Sequence, residues 1–372
     1  MRTLLVPALF SILALLPSFL FAQRTITISG KLLSAKDDTP VIFANLYIPN
    51  TSYGTYSDDQ GNFTFQAQVW EAFELVISHV EHDITLLKLN VSSDEVNVQT
   101  IRLQPKAYNL QEVVVKEDKN WKAYYELFRK SFIGTTPNSR QCEITNRLVL
   151  NFDYDSTTHI LTAWAYEPLK IRNKALGYEL TYDLVSFEMD NSRGAVFYQG
   201  FPFFKSMEAS NKRRTNRWDR ERQEAYRGSI LHFVRALYRG EAAKEGFSIT
   251  AQVRQEQATG GMRTVRTIEQ VVSPETLVSP DSIAPALRFQ TPHRLRLQYN
   301  GEKESGVFAQ ERSLNFGGSA QAAKFQTSFI KLNTEFVRIY SDGYVDNGLD
   351  MLLEGYFGWE KIADMLPLDY KE

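Results

Sequence analysis

Thr39-Pro40-Val41-Ile42-Phe43-Ala44-Asn45-Leu46-Tyr47-Ile48, followed shortly by Gly54-Thr55-Tyr56-Ser57-Asp58-Asp59-Gln60-Gly61-Asn62-Phe63, is the stretch whose reading decides the fold. Short apolar runs alternate here with turn residues, and Asp58 and Gly61 are the types that cap and close a tight turn. Outward from this stretch the pattern repeats, giving apolar runs at Thr25–Leu33, Val41–Ile48, Gly54–Ser57, Asn62–Gln66, Phe73–Ser78, Ile84–Leu89 and Val96–Leu103. Seven short strands at this spacing predict an all-β sandwich, with Lys36–Pro40 closing the first hairpin and Asp58–Gly61 the third. A calcium loop at Asp58 and Asp59 is disfavoured, because the alternating carboxylates and terminal Glu of such a loop are missing.

Gly30-Lys31-Leu32, the two stretches quoted above, and Leu110-Gln111-Glu112-Val113-Val114-Val115 together resemble the carboxypeptidase-regulatory-like domain. That family is a transthyretin-like sandwich found in front of many Gram-negative envelope proteins, TonB-dependent receptors among them. The resemblance implies a non-catalytic module and carries over no active-site residue. Two positions depart from it: Ser57 stands where Thr is usual, and Glu81-His82 stands where Gly-Tyr forms an aromatic corner. A receptor's plug and barrel would need hundreds more residues and many alternating strands, so that role is not implied.

The amino terminus reads as an export signal: Arg2, an apolar run from Leu4 to Phe21, and small Ala22 before Gln23. An uncleaved anchor is the alternative, since the run approaches the length of a membrane span, but Pro7 and Pro17 disfavour it. The expected organisation is therefore a signal peptide at 1–22, the sandwich at 23–116, a charged linker at 117–120, and a β-rich α+β domain at 121–372. Cleavage before Gln23 removes Arg2 alone among the charged groups, taking the formal charge from −2 to −3. That balance supplies no global attraction to nucleic acid or anionic membrane. Cys142 is the single cysteine, so no intrachain disulfide forms; without a basic or His neighbour to lower its pKa it reads as a buried small hydrophobe.

In the second domain, Trp121, Tyr124, Tyr125, Leu127, Phe128 and Phe132 recur at helical spacing, as a helix face packed on a sheet would require. Strands are expected at Asn146–Tyr154, Ile160–Ala165, Tyr178–Phe187, Ala195–Phe197, Phe247–Val253, Met262–Val272, Arg294–Tyr299 and Phe325–Tyr340, with a short helix at Trp359–Met365. Between Asn211 and Gly240, nine Lys or Arg face only Asp219, Glu221 and Glu224, a local excess of +6. Trp218, Tyr226, Ile230, Phe233, Val234 and Leu237 repeat there at helical spacing, so the cations line one face of a buried-sided helix.

Catalytic chemistry finds no foothold in the motifs. None of His79, His82, His159, His232 and His293 has a Glu three residues on, as a zinc carboxypeptidase requires, and no Gly-x-Ser-x-Gly, phosphate loop, His-Glu-x-x-His or paired-Cys motif occurs. His79 and His82 point to opposite faces of an unbroken strand and read as surface histidines; they could share a metal only if a bulge or turn broke the strand there. Asp342, Asp346, Asp350 and Glu354 would form an acidic stripe on a helix, which Gly343 and Gly348 oppose. No catalytic residue, metal ligand or cofactor is assigned. The expected function is that of a non-enzymatic exported envelope protein, periplasmic or outer-membrane-associated, without a transmembrane span in the mature chain. It binds an envelope protein or an acidic glycan such as lipopolysaccharide through Arg213, Arg214, Arg217, Trp218 and Arg220, and not nucleic acid. The alternative is a peptide or glycan hydrolase with its site in the second domain.

Overall fold

The computed structural model describes residues 24–69, 72–91, 93–106, 119–259, 262–283 and 285–372. The expected export signal, the Leu110–Val115 run and the first half of the expected linker lie outside the described residues.

Seven strands form the amino-terminal sandwich: β1 Arg24–Ser34, β2 Asn45–Tyr47, β3 Gly54–Tyr56, β4 Asn62–Val69, β5 Ala72–His79, β6 His82–Asn90 and β7 Glu95–Leu103. One sheet has the order β4-β1-β7 and the other β3-β2-β5-β6. Ile26, Ile28 and Leu32 of β1 meet Leu46, Leu75 and Ile77 of the facing sheet in a closed apolar core, as period-two patterning requires. The turns lie where the sequence puts them but connect differently. β1 and β2, and likewise β3 and β4, belong to opposite sheets, so Lys36–Pro40 and Asp58–Gly61 are crossings rather than hairpins. The expected strand Val41–Ile48 shrinks to Asn45–Tyr47, because the buried Ser57 hydroxyl donates to Val41 O (2.8 Å) and accepts from Ala44 N (2.9 Å), holding 41–44 as a loop.

Beyond the sandwich, helix α1 (Trp121–Phe132) packs Phe128 and Phe132 onto a six-stranded sheet. Its strands are β8 Cys142–Ile144, β9 Leu150–Asp155, β10 Ile160–Ala165, β11 Leu169–Asn173, β12 Tyr178–Asp190 and β13 Ala195–Ser206. The path runs β8-β11-β12-β10-β9, with β13 also on β12. Phe132 meets Tyr182 edge-on at 5.0 Å, one of several aromatic pairs that fill this core. Cys142 is buried at the start of β8, and burial pushes its thiol up to about 12. That value makes it an inert packing residue at neutral pH.

The basic stretch is two helices, α2 (Lys212–Tyr226) and α3 (Ile230–Tyr238), instead of one. Gly228 breaks the run at φ 75°, a left-handed turn that other residues adopt at a cost, and Ser229 caps the new helix by accepting from His232 N. α3 covers a second sheet with the order β15-β14-β18-β19-β21, made of β14 Phe247–Thr259, β15 Met262–Val271, β18 Arg294–Tyr299, β19 Gln326–Leu332 and β21 Met351–Gly355. A small sheet adds β16 Val278–Pro280, β17 Leu287–Gln290 and β20 Phe336–Ile339. Phe233, Val234 and Leu237 of α3 form a separate core with Ile249, Leu295 and Ile330. The single strand expected over Phe325–Tyr340 therefore splits at a turn into β19 and β20, which serve different sheets. Helix α4 (Gly306–Phe316) is weakly amphipathic and escapes a periodicity reading. In place of a helix over Trp359–Met365 stand one turn at Tyr356–Trp359 and a 3₁₀ turn at Ile362–Asp364.

The outer face of the β3-β2-β5-β6 sheet is covered by the rest of the chain at β2 and β5, while β6 leaves Ile84 and Leu86 exposed. Tyr47 and Ser78 are buried there and donate to the same Asp183 carboxylate, at 2.6 and 2.5 Å, while Tyr47 stacks on Phe203 at 5.2 Å. Burial pushes the Asp183 carboxyl up, and the two hydroxyl bonds act in the opposite sense. The last residues return to this seam: Leu368 N donates to Asn50 O (2.7 Å) and Asp369 accepts from Ser52 N (2.8 Å).

Candidate functional site

α2 begins at Asn211, whose side chain accepts from Arg214 N at 3.0 Å. Its first turn then carries Lys212, Arg213 and Arg214 and no acid. Cations at a helix start oppose the macrodipole, and backbone N–H groups and positive charge at that end favour an anion. Lys212 and Arg213 are exposed, and among the described residues their side chains have no hydrogen-bond or ion-pair partner. Arg217 is also exposed and donates to Gln141 Oε1 (3.0 Å), and Arg214 lies 6.0 Å from the centre of the Trp218 ring. Arg220 is held by Glu221 at 3.1 Å and Glu224 at 3.9 Å, so it offers the least free charge of the set.

These residues border an open groove of about 1030 Å³, whose far wall includes Gln141, Lys174 and Met207. The structure thus gathers Arg213, Arg214, Arg217 and Arg220 around one concavity. Trp218 lines the same groove but is only 5% exposed; it donates Nε1–H to Lys174 O (3.0 Å) and lies on Gly177. A Cβ at Gly177, itself at φ 70°, would fall 2.3 Å from that ring. Trp218 therefore anchors α2 to the β11–β12 turn while it lines the groove together with the arginines. Gln141 and Lys174 come from distant segments and carry no sequence signal that links them to α2.

The other cations of the stretch are engaged within the fold. Arg222 donates to Leu176 O (2.7 Å) and lies over the Tyr178 ring at 4.1 Å. Arg227 meets Glu372 at 3.1 Å, and Arg239 meets Glu245 at 2.6 Å. Arg235, 8% exposed, donates to three carbonyls, Asp342 O, Tyr370 O and Leu368 O, tying the carboxy-terminal tail to α3. His232 accepts from Gly228 N at Nδ1 (3.0 Å), which leaves Nε2–H facing Glu245 at 2.7 Å; burial lowers its pKa, more than Glu245 raises it.

The acidic stripe does not form. Asp342 caps a turn at Tyr344 N and Asp346 faces Arg338 (3.7 Å) on the loop after β20, whereas Glu354 on β21 meets Arg294 (2.8 Å). His79 and His82 do meet, because Val80 and Glu81 form the two-residue turn between β5 and β6 and put the two histidines directly opposite each other. Their Nδ1 atoms are 2.9 Å apart, and His82 is buried rather than at the surface. Among the described residues no three His, Cys, Asp or Glu side chains converge as metal ligands, and no helix is long and apolar enough to cross a membrane. A second groove, of about 580 Å³, is lined by His293, Glu335 and neutral residues from both the five-stranded sheet, such as Ala251 and Leu332, and the small sheet, such as Gln290.

The family model of the CarboxypepD_reg-like domain matches residues 28–115. The sandwich is a CarboxypepD_reg-like domain. No curated protein matches the chain. Of solved structures, a 9R-lipoxygenase from Cyanothece PCC8801 aligns at 10% identity over 60% of this chain and 49% of its own, with a TM-score of 0.20. The chain thus spans about half the length of that lipoxygenase. A DUF3823 family protein from Parabacteroides merdae ATCC 43184 aligns at 8% identity over 86% of this chain and 100% of its own, with a TM-score of 0.17. Neither similarity carries an argument about fold or function. The CarboxypepD_reg-like domain here is joined to the following region through Asp183, and the basic groove lies on that following region.

Proposed function

We propose that the protein is an exported, non-enzymatic binding protein of the cell envelope, in which the CarboxypepD_reg-like domain is a docked structural module and the start of α2 holds an anionic partner. One observation carries this reading: Lys212, Arg213, Arg214 and Arg217 crowd the positive end of a helix beside an open groove, with no acid among them. Such a placement costs folding free energy through like-charge repulsion and the dipole. It is compensated when phosphates or carboxylates of a partner sit on the guanidinium forks, which suit planar oxyanions. Lipopolysaccharide, an acidic glycan and the acidic surface of an envelope protein all offer such groups. Export, by the signal-like residues 1–22, places the groove where those partners are found.

The test is a reversible-crosslink pull-down from the native envelope, comparing the wild type with a variant in which Arg213, Arg214, Arg217 and Arg220 are changed to Ser. One partner or acidic glycan recovered by the wild type and lost by the variant supports the reading. Equal recovery from both sinks it and directs attention to hydrolase activity.

A further inference from the structure

We infer that the groove beside α2 takes an acidic oligosaccharide, a chain of sugar rings that carry a carboxylate or a phosphate. The inference rests on the reading of α2 as an anion-holding surface and adds the class of ligand. Six cations line the groove, Lys174, Lys212, Arg213, Arg214, Arg217 and Arg220, and no Asp or Glu is among the lining residues. Glu143 engages Lys174 at 3.1 Å and Glu221 engages Arg220 at 3.1 Å, so the charge left unmatched is that of Lys212, Arg213, Arg214 and Arg217.

Positions 213, 216, 217 and 220 lie three or four residues apart in α2 and so share one face of the helix. Arg213, Arg217 and Arg220 therefore stand in a row, separated along the axis by about 6 Å and then about 4.5 Å. Such a row meets a ligand whose anions recur along a chain, whereas a single anion would leave most of it unpaired. Asn216 sits within the row, exposed, and among the described residues its side chain has no hydrogen-bond partner. Across the groove, Gln141 turns its Oε1 to Arg217 (3.0 Å), which leaves its amide N–H groups for a ligand. Side-chain amides donate and accept at once, and so they pair with ring hydroxyls, which do the same. The apolar part of the lining is small: among the described lining residues only Met207 and Trp218 are apolar, and Trp218 is 5% exposed. The acyl chains of a lipid and the apolar anchors of a protein partner find no pocket there. A hydroxyl-rich polyanion needs none.

The test is calorimetric titration of the purified full chain with hexagalacturonate, phosphorylated maltohexaose, neutral maltohexaose and hexaglutamate. One of the two acidic hexasaccharides is expected to bind about tenfold tighter than hexaglutamate, through the hydroxyl bonds that the peptide lacks, and the tighter of the two tells carboxylate from phosphate. Asn216→Ala is expected to weaken the acidic saccharide about threefold or more and to leave hexaglutamate unchanged. Arg213→Ser combined with Arg217→Ser is expected to weaken every anionic probe about tenfold or more. Melting temperatures equal to the wild type's show that these losses are of contact and not of fold. Hexaglutamate or neutral maltohexaose binding as tightly as the acidic saccharides, or a saccharide titration that Asn216→Ala leaves unchanged, overturns the inference while the anion-holding reading of α2 stands. No binding of any anionic probe overturns both.

Discussion

From Arg222 onward in the basic stretch, Arg222, Arg235 and Arg239 are bound to carbonyls or carboxylates, whereas at its amino-terminal end the side chains of Lys212 and Arg213 reach solvent with no partner among the described residues. Arginine dominates both ends, five cations falling in 211–221 and four in 222–240. The difference lies in what the chain brings opposite them: the tail 366–372 and Glu245 close over α3, and an open groove faces the start of α2. A buried arginine with its donors satisfied holds segments together, while exposed unpaired arginines at a helix start are available to bind. Charge density in a sequence therefore points to a binding surface only after the internally engaged cations have been set aside.

The sharpest way to break this comparison is Arg235→Ala, which leaves three carbonyls without donors and detaches the tail. It is expected to cost about 3 kcal/mol or more in urea unfolding, and Arg235→Lys to recover little because a single ammonium cannot span the three acceptors. A loss below about 1 kcal/mol would remove Arg235 from the structural half. Next is Gly177→Ala, which forces a methyl group into the Trp218 ring at a positive φ. A loss of about 2–3 kcal/mol with a red-shifted Trp218 fluorescence is expected, as the ring is displaced toward water.

His232 sharpens the same side through pH. Its folded pKa is lowered from 6.5, so the unfolded chain binds more protons between the folded value and 6.5. Stability contributed by neutral His232 is fully present above pH 6.5 and falls as the pH drops below it. Melting curves from pH 7.5 to 5 are expected to fall more steeply for the wild type than for His232→Gln; parallel curves would show that the α3–Glu245 contact does not depend on this ring. The smallest effect on stability is expected for Arg213→Ser, Arg214→Ser and Arg217→Ser together: within about 0.5 kcal/mol per site, or a slight gain as the dipole conflict is relieved. A large loss in the same urea experiment would mean that these cations, too, are structural.

Much of the sandwich was legible because a half-buried strand writes its burial into a period of two, and seven such runs with turn chemistry between them leave few architectures open. Connectivity was not legible at Lys36–Pro40 and Asp58–Gly61, since a tight turn has the same residues whether it joins neighbours in one sheet or crosses to another. The basic face was visible as composition. Its partition was not, because Glu372, Glu245 and the carbonyl of Leu368 are distant in sequence from the arginines they engage. The same holds for His79 and His82, where two turn residues convert opposite-facing positions into a facing pair.

The sequence by itself determined the CarboxypepD_reg-like sandwich, the α1 face and the location of the cationic stretch, because burial periodicity, turn residues and charge are local properties of the chain. Only the tertiary structure decided that Asp183 joins the sandwich to the rest, that Trp218 anchors α2, and which arginines are free. Those outcomes depend on long-range approach, since a charged or aromatic side chain takes its role from the groups folding brings within hydrogen-bond reach.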